Sequence, residues 1–156
     1  AIDMDMIFHN RYLHITDVAQ MGPYALDNLK GWEDFAKKAQ PGDLIMAGKN
    51  FGAGSSRQQA VDCFRALGIG ALIAESFGAI YKRNAINSGL PLITLPGLTE
   101  MAGRFKTGDL LEVDFTTGRL VLNGEAAFQA EPFYQVQMDI YQAGDLFAYG
   151  KCLGSL

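Results

Sequence analysis

The fold is decided by residues 44–95, which read LIMAGKNFGAGSSRQQAVDCFRALGIGALIAESFGAIYKRNAINSGLPLITL. Three short apolar runs in this segment are typical of strands that are covered on both faces of a sheet, namely 44–47, 69–74 and 91–95. The two stretches between the runs carry apolar residues at helical spacing, Ala60, Val61, Phe64 and Leu67 in the first and Phe77, Ile80, Tyr81 and Ala85 in the second. The order strand, helix, strand, helix, strand predicts a parallel βαβαβ core with right-handed crossovers.

The chain after this core has a different pattern. Leu111, Val113 and Phe115 alternate with acidic residues, which is typical of a half-exposed strand. A second strand is predicted at Arg119–Leu122, and Asn123-Gly124 after it is a strong hairpin signal. The fold class is therefore α/β, a parallel core with added antiparallel strands.

The two ends of the chain carry weaker signals. Residues 10–20 have few repeating apolar positions and are expected to form a loop, whereas Trp32 and Phe35 lie at helical spacing before the breaker Pro41-Gly42. After Pro132, a short terminal helix is predicted from Val136, Ile140 and Tyr141.

The composition is that of one globular domain. Of 156 residues, 49% are hydrophobic and 19% charged, which excludes a disordered chain. No apolar run approaches the roughly 20 residues that a membrane span needs, and a net charge of −4 argues against nucleic acid as a partner. The two cysteines, Cys63 and Cys152, form no disulfide framework and cannot hold a metal cluster by themselves, so we expect a reduced, cytoplasmic setting. The chain starts at Ala1 without a methionine, which leaves open whether residues precede it.

The glycine-rich stretch from Gly48 to Arg57 is the candidate site. It joins a predicted strand to a helix N-terminus, where free N–H groups and the helix dipole attract anions, and Arg57 adds a planar fork of donors for a carboxylate or phosphate. Neither the P-loop nor the dinucleotide-binding fingerprint fits its spacing. The plainer interpretation is that Ser55 or Ser56 caps the helix, with Gln58 or Gln59 completing a capping box, and that Arg57 forms a surface ion pair.

Several runs of the sequence resemble one family, the small subunits of 3-isopropylmalate dehydratase, which are the swivelling domain of the aconitase superfamily. The runs are Asn50–Arg57 (NFGAGSSR), 71–77 (ALIAESF), 83–91 (RNAINSGLP), 3–7 (DMDMI) with 11–13 (RYL), and 108–115. The resemblance covers nearly the whole chain. It implies a single swivelling β/β/α domain over residues 1–156.

The resemblance also implies an activity. The family dehydrates a small hydroxy di- or tricarboxylate and rehydrates the alkene on the neighbouring carbon. A large partner subunit carries a four-iron, four-sulfur cluster, and none is bound by the small subunit. By match to the Gly-Ser-Ser-Arg motif, Ser55 would be the base, and Ser56 and Arg57 would grip a substrate carboxylate. Asp5, by match to the Asp-x-Asp-x-Ile pattern, would be a catalytic carboxylate that faces the site near the base or the leaving hydroxyl.

Three further residues complete the expected substrate site: Gly54, Arg11 and His14. The loop after Arg11 is where members of the family differ, and His14 stands where an aliphatic residue suits an isopropyl group and an arginine suits a distal carboxylate. Homoaconitase-type and methylmalate-type substrates therefore stay open, as does a non-catalytic anion-binding module. The chain departs from the family pattern at Gln58-Gln59, where Glu-His is usual, and at Ala53, where many members have cysteine.

Overall fold

The computed structural model of the chain describes residues 4–26, 29–54, 58–105, 108–114, 117–131 and 147–155. Its α-helices are α1 (Met4–Ile7), α2 (Phe35–Lys38), α3 (Gln59–Ala66), α4 (Ala79–Asn87) and α5 (Leu98–Met101). Short 3-10 helices lie at Asn10–Tyr12, Val18–Gln20, Gly22–Tyr24 and Ala102–Arg104. The strands are β1 (Leu44–Ala47), β2 (Ala71–Ala74), β3 (Leu92–Thr94), β4 (Leu110–Asp114), β5 (Arg119–Leu122), β6 (Ala126–Gln129) and β7 (Phe147–Ser155).

The described strands form one mixed sheet in the order β3-β2-β1-β7-β4-β5-β6. The parallel half is β3-β2-β1, in which Leu44 pairs with Ala71 and Leu72 with Leu92. Helices α3 and α4 are the crossovers that connect these strands, so the predicted βαβαβ core is confirmed. The antiparallel half is β4-β5-β6, which confirms the predicted added strands.

Strand β7 joins the two halves and was not predicted. It runs parallel to β1 and antiparallel to β4, so it occupies the middle of the sheet. Its sequence, FAYGKCLGS, contains two glycines, which weaken a strand signal, and its place is set by pairing with partners far away in the chain. The terminal helix predicted from Val136, Ile140 and Tyr141 lies outside the described residues.

The core has two layers, one on each face of the parallel strands. Alternate residues of β1 divide between them: Ile45 and Ala47 face the cluster that holds α3 and α4, whereas Leu44 and Met46 face the cluster built with β4, β5 and β6. Every residue of β1 and β2 is buried, as continuous apolar runs predict, whereas β4 and β5 alternate between buried and more exposed positions.

Both crossover helices end as their sequences indicate. Gly68 and Gly89 follow α3 and α4 with φ of +75° and +79°. The N–H of Ile69 donates to the Phe64 carbonyl at 3.1 Å, and the N–H of Leu90 donates to the Ala85 carbonyl at 2.9 Å. Together with the glycine N–H bonds, these bonds are Schellman motifs, which satisfy the last carbonyls of each helix.

Two expectations need correction. Residues 10–20 are not a plain loop, because they contain two 3-10 helices, at Asn10–Tyr12 and Val18–Gln20. The next one, at Gly22–Tyr24, packs on α3, where a Cβ on Gly22 would lie 3.1 Å from Leu67. The helix near Trp32 begins only at Phe35.

Among the described residues, no helix is long and apolar enough to cross a membrane.

Candidate functional site

The glycine-rich segment begins where β1 ends, at the edge of the sheet that carries the carboxyl ends of the parallel strands. There it pairs with the chain that leaves β2. The N–H of Glu75 donates to the Gly48 carbonyl at 3.2 Å, the N–H of Phe51 donates to the Ser76 carbonyl at 3.1 Å, and the N–H of Gly78 donates to the Phe51 carbonyl at 2.9 Å. Open α/β sheets bind ligands at this edge, so the fold places the segment at a plausible ligand site.

Asn50 is a turning point of the segment. Its φ is +55°, a left-handed conformation that asparagine tolerates better than most residues. Its backbone N–H donates to the Ser76 hydroxyl oxygen at 2.8 Å. The Asn50 carbonyl accepts the N–H of Ala53 at 3.2 Å, which closes the turn toward Gly54. A side-chain hydroxyl from the neighbouring β2–α4 connection therefore fixes the start of the site.

Two glycines let the segment lie directly against helix α4. Gly52 has φ of +80°, and a Cβ there would lie 2.7 Å from the Cβ of Tyr81. A Cβ on Gly78 would lie 2.9 Å from the Gly52 carbonyl oxygen. Only glycine allows both approaches without displacing the backbone. Phe51, next to Gly52, is buried and meets Tyr81 edge-on with ring centroids 5.6 Å apart.

Helix α3 follows the segment but begins later than the sequence suggests. Its first residue is Gln59, and Gln58 occupies the cap position with no capping side-chain bond. The prediction of a serine cap for this helix is therefore not confirmed. Ser55, Ser56 and Arg57 themselves lie outside the described residues, so their predicted roles stay predictions.

The side chain of Gln58 points away from the cap and connects two helices instead. Its Nε2 donates to the Ser88 hydroxyl oxygen at 2.6 Å and to Asp62 Oδ1 at 3.2 Å. Asp62 in turn pairs with Arg65 at 3.1 Å. Ser88 is the C-cap of α4, so this bond ties the start of α3 to the end of α4.

One carboxylate joins the connections that follow all three parallel strands. Glu75, after β2, pairs with Lys49, after β1, at 3.4 Å. It also accepts the backbone N–H of Thr99, after β3, at 3.0 Å. The Thr99 N–H is the main cause that lowers the pKa of Glu75, and the Lys49 charge adds to it. Glu75 is therefore ionised at neutral pH and partly neutralises Lys49.

The remaining predicted residues lie on the amino-terminal segment. Asp5 belongs to α1, and its side chain is outside the described part of the structure. Arg11 is exposed and its guanidinium lies 4.9 Å from the centroid of the Tyr12 ring. His14 is exposed and lines an open groove of about 600 Å³ with Asp17 and Tyr24, among others.

The predicted residues thus fall into two groups. The first group is represented by Gly54, which is exposed, has φ of +113° and lies just before α3. The second group lies on the amino-terminal segment that carries the His14 groove. That segment packs through Gly22 on Ala66 and Leu67, at the opposite end of α3. Three residues that organise the site were not predicted from the sequence, namely Glu75, Ser76 and Ser88. The first two lie in the ALIAESF run and the third in the RNAINSGLP run, so the motifs contained them but gave them no role.

The described residues contain no group of three or more His, Cys, Asp or Glu side chains that could hold a metal ion. Cys63 is buried in α3, its Sγ lies 3.7 Å from the Ala60 carbonyl oxygen, and burial raises the pKa of its thiol far above the usual range. An iron–sulfur cluster needs several thiolate ligands, and Cys63 is the one cysteine side chain among the described residues. These residues therefore do not fit such a cluster.

Comparison with known proteins shows which family the chain belongs to. The family model described as the aconitase C-terminal domain matches residues 5–97. A 3-isopropylmalate dehydratase small subunit from Sulfolobus acidocaldarius is 41% identical over 150 residues, 96% of this chain and 90% of the relative. One from Ruminiclostridium cellulolyticum is 38% identical over 151 residues, with the same shares covered.

A solved structure has the same fold. The crystal structure of 3-isopropylmalate dehydratase from Methanocaldococcus jannaschii superimposes with a TM-score of 0.81 at 37% identity, and the match covers 94% of this chain and 84% of that one. The chain belongs to the family of the aconitase C-terminal domain and, within it, to the 3-isopropylmalate dehydratase small subunits. This confirms the resemblance and the fold class that the sequence predicts.

Proposed function

We propose that the chain is the small subunit of a two-chain hydro-lyase that interconverts 2-isopropylmalate and 3-isopropylmalate in leucine biosynthesis. A base breaks a C–H bond, the neighbouring C–O bond breaks with loss of hydroxide, and an alkene forms. Water then adds back in the opposite orientation, so the carbon skeleton undergoes no net oxidation. The observation that carries the proposal is 38–41% identity to named small subunits over 96% of the chain.

Within this reaction, Ser55 is proposed as the base and Ser56 and Arg57 as the grip on a substrate carboxylate. A serine hydroxyl is too weak an acid to serve as a base without help, so its alkoxide needs nearby N–H dipoles and a cation. What supports this role is the placement of the neighbours, because Gly54 lies at the carboxyl edge of the sheet and α3 begins at Gln59. Asp5 is proposed as a catalytic carboxylate near the base or the leaving hydroxyl.

The large subunit is proposed to carry a four-iron, four-sulfur cluster, which supplies a Lewis acid for the substrate hydroxyl and a carboxylate. This chain supplies the proton-transfer and carboxylate-binding groups and closes the site over the substrate. It is therefore inactive alone. Residues 1–156 are proposed to move as one swivelling domain, and the cytoplasmic location expected from the cysteine content remains a prediction.

An anaerobic assay with the co-expressed large subunit tests the proposal. The absorbance of the alkene is followed on isopropylmalate, on homocitrate or homoisocitrate, and on small alkyl malates. Turnover on isopropylmalate, with neither subunit active alone, is the expected result. Preference for a substrate with a distal carboxylate would assign the homoaconitase-type reaction and give His14 the role of a carboxylate donor. An absence of turnover on all of them, with an intact cluster, would support a non-catalytic module.

A further inference from the structure

Helix α4 and the residues that flank it contact the glycine-rich segment at three points. At the amino-terminal side of the helix, the Ser76 hydroxyl accepts the N–H of Asn50 at 2.8 Å. At the carboxyl-terminal side, the Ser88 hydroxyl accepts Nε2 of Gln58 at 2.6 Å. Between these two bonds, Tyr81 packs against Gly52. We infer that Ser76 and Ser88 are positioning residues, which hold the two ends of segment 50–58 and so set the placement of the proposed base and carboxylate grip.

The spacing of the two bonds supports this inference. Asn50 and Gln58 bracket the Gly-Ser-Ser-Arg motif, with Gly54 before its serines and Gln58 directly after Arg57. A seven-residue stretch between two anchored ends has fewer accessible conformations than a free loop, so anchoring lowers the ordering entropy that substrate binding must overcome. Because a misplacement of about 1 Å at reacting groups can cost about a hundredfold in rate, small anchors at the ends of such a segment affect turnover.

A buried hydrogen bond joins the two helices behind the serines. Tyr81 is fully buried, and its hydroxyl donates to the Ala60 carbonyl in α3 at 2.8 Å. Burial raises the pKa of the Tyr81 phenol well above the usual range, so it stays a hydrogen-bond donor. Hydrogen bonds at Tyr81 and at Ser88 thus join α3 to α4. Through Ser76 and Ser88, segment 50–58 is held against this pair of helices.

The Ser88 hydroxyl accepts one hydrogen bond from the segment, whereas the Ser76 hydroxyl accepts the Asn50 N–H and also donates to Asn50 Oδ1 at 3.5 Å. Ser76→Ala deletes the acceptor of the Asn50 N–H, and Ser88→Ala deletes the acceptor of Gln58. Threonine retains the hydroxyl, so Ser76→Thr and Ser88→Thr are the conservative variants. Thr117→Ala is the matched control, because Thr117 Oγ1 accepts the N–H of Arg119 at 3.3 Å in the antiparallel half of the sheet.

The test is steady-state kinetics of the reconstituted two-subunit enzyme on isopropylmalate, and the inference rests on the proposed function. Ser76→Ala and Ser88→Ala are each expected to lower kcat about tenfold while the Tm stays within about 4 °C. The threonine variants and Thr117→Ala are expected to stay within about threefold of wild type. Alanine variants with wild-type kcat, or a kcat that falls only in step with Tm, would overturn the inference.

Amide hydrogen exchange on the full chain provides a readout that does not depend on activity. Peptides that cover residues 50–58 are expected to exchange faster in both alanine variants, with β1 and β2 unchanged. Unchanged exchange in that segment would also overturn the inference. A wild-type enzyme without turnover on isopropylmalate would instead contradict the proposed function. The exchange data would then still show whether Ser76 and Ser88 anchor the segment.

Discussion

The parallel and antiparallel halves of the sheet bury apolar surface in different ways. Strands β1 and β2 are covered on both faces, by α3 and α4 on one side and by the second core cluster on the other. Strands β4 and β5 alternate, and Glu112, Asp114, Arg119 and Val121 line a groove on their outer face. Because other elements cover both faces of the parallel half, the connections at its carboxyl edge are where a ligand can reach it. That is where the candidate site lies.

The difference shows that the two halves tolerate change in different places. In the parallel half, Gly52 and Gly78 are packed against α4 and the neighbouring backbone, although Gly54 is open. In the antiparallel half, the turns at Gly108 and Gly124 are open, whereas Gly118 is packed against Ala130. The hairpin turn Asn123-Gly124 illustrates this, since a Cβ on Gly124 would meet nothing within 4 Å. Each change in the candidate site is therefore paired with a matched change in the antiparallel half.

The largest effect is expected at Ser55. Loss of its hydroxyl in Ser55→Ala removes the proposed base, and general-base catalysis contributes about 10²–10⁴-fold. We expect kcat on isopropylmalate to fall by about that factor, with the large subunit still bound and Tm unchanged. Thr117→Ala, in the β4–β5 turn, should retain full activity. Steady-state kinetics and co-purification measure both, and normal turnover of Ser55→Ala would refute the role of Ser55.

The next effect is a difference in stability between two glycines of similar conformation. Gly52 and Gly124 have φ of +80° and +74°. Alanine at either position adopts an unfavourable left-handed conformation, at a cost of about 1–2 kcal/mol. At Gly52 it also collides with Tyr81, so we expect a total of about 3 kcal/mol or more for Gly52→Ala. Urea unfolding measures the two variants, and equal losses would contradict the close packing of the segment on α4.

Arg57→Lys tests the carboxylate grip with retained charge. Lysine keeps the positive charge but loses the planar, bidentate fork, so substrate binding should weaken. We expect KM for isopropylmalate to rise about tenfold with a smaller change in kcat. The matched control is Arg119→Lys, at an exposed position of β5. A KM that does not change in Arg57→Lys would remove this residue from the carboxylate site.

The smallest effect concerns the charge of Glu75. Its pKa is lowered in the folded chain, so its stabilising contribution is complete above the ordinary glutamate pKa of 4.5 and is lost as pH falls through the folded value. The stability difference between wild type and Glu75→Gln should therefore be present at neutral pH and shrink as the pH falls below 4.5. Glu125→Gln in the exposed β5–β6 turn is the control. A difference that grows toward low pH would contradict the ion pair.

Much of the fold is predictable from the sequence because the relevant signals are local. The apolar runs of β1, β2 and β3 and the Gly68 helix end have the predicted form. Asn123 and Gly124 both have positive φ, +52° and +74°, as the hairpin signal requires, although the loop has three residues because Leu122 pairs with Ala126. The family resemblance also followed from short motifs in the sequence.

The organisation of the site was less predictable because it depends on contacts between distant residues. The serine cap expected for α3 is replaced by Gln58, whose side chain instead bonds Ser88, thirty positions later in the chain. Ser76 and Asn50 are separated by 26 positions. Neither periodicity nor a local motif predicts such pairs, because each residue alone is compatible with an ordinary turn.

The sequence by itself determined the βαβαβ order, the glycine-rich segment after β1, the antiparallel hairpin and the family, since these depend on local periodicity, turn chemistry and motifs. Only the tertiary structure decided that β7 lies between β1 and β4, that Glu75 joins the connections after three strands, and that Ser76 and Ser88, on either side of α4, hold the two ends of segment 50–58. The physical reason is that strand order and side-chain bridges depend on which distant surfaces are brought together when the two core layers form.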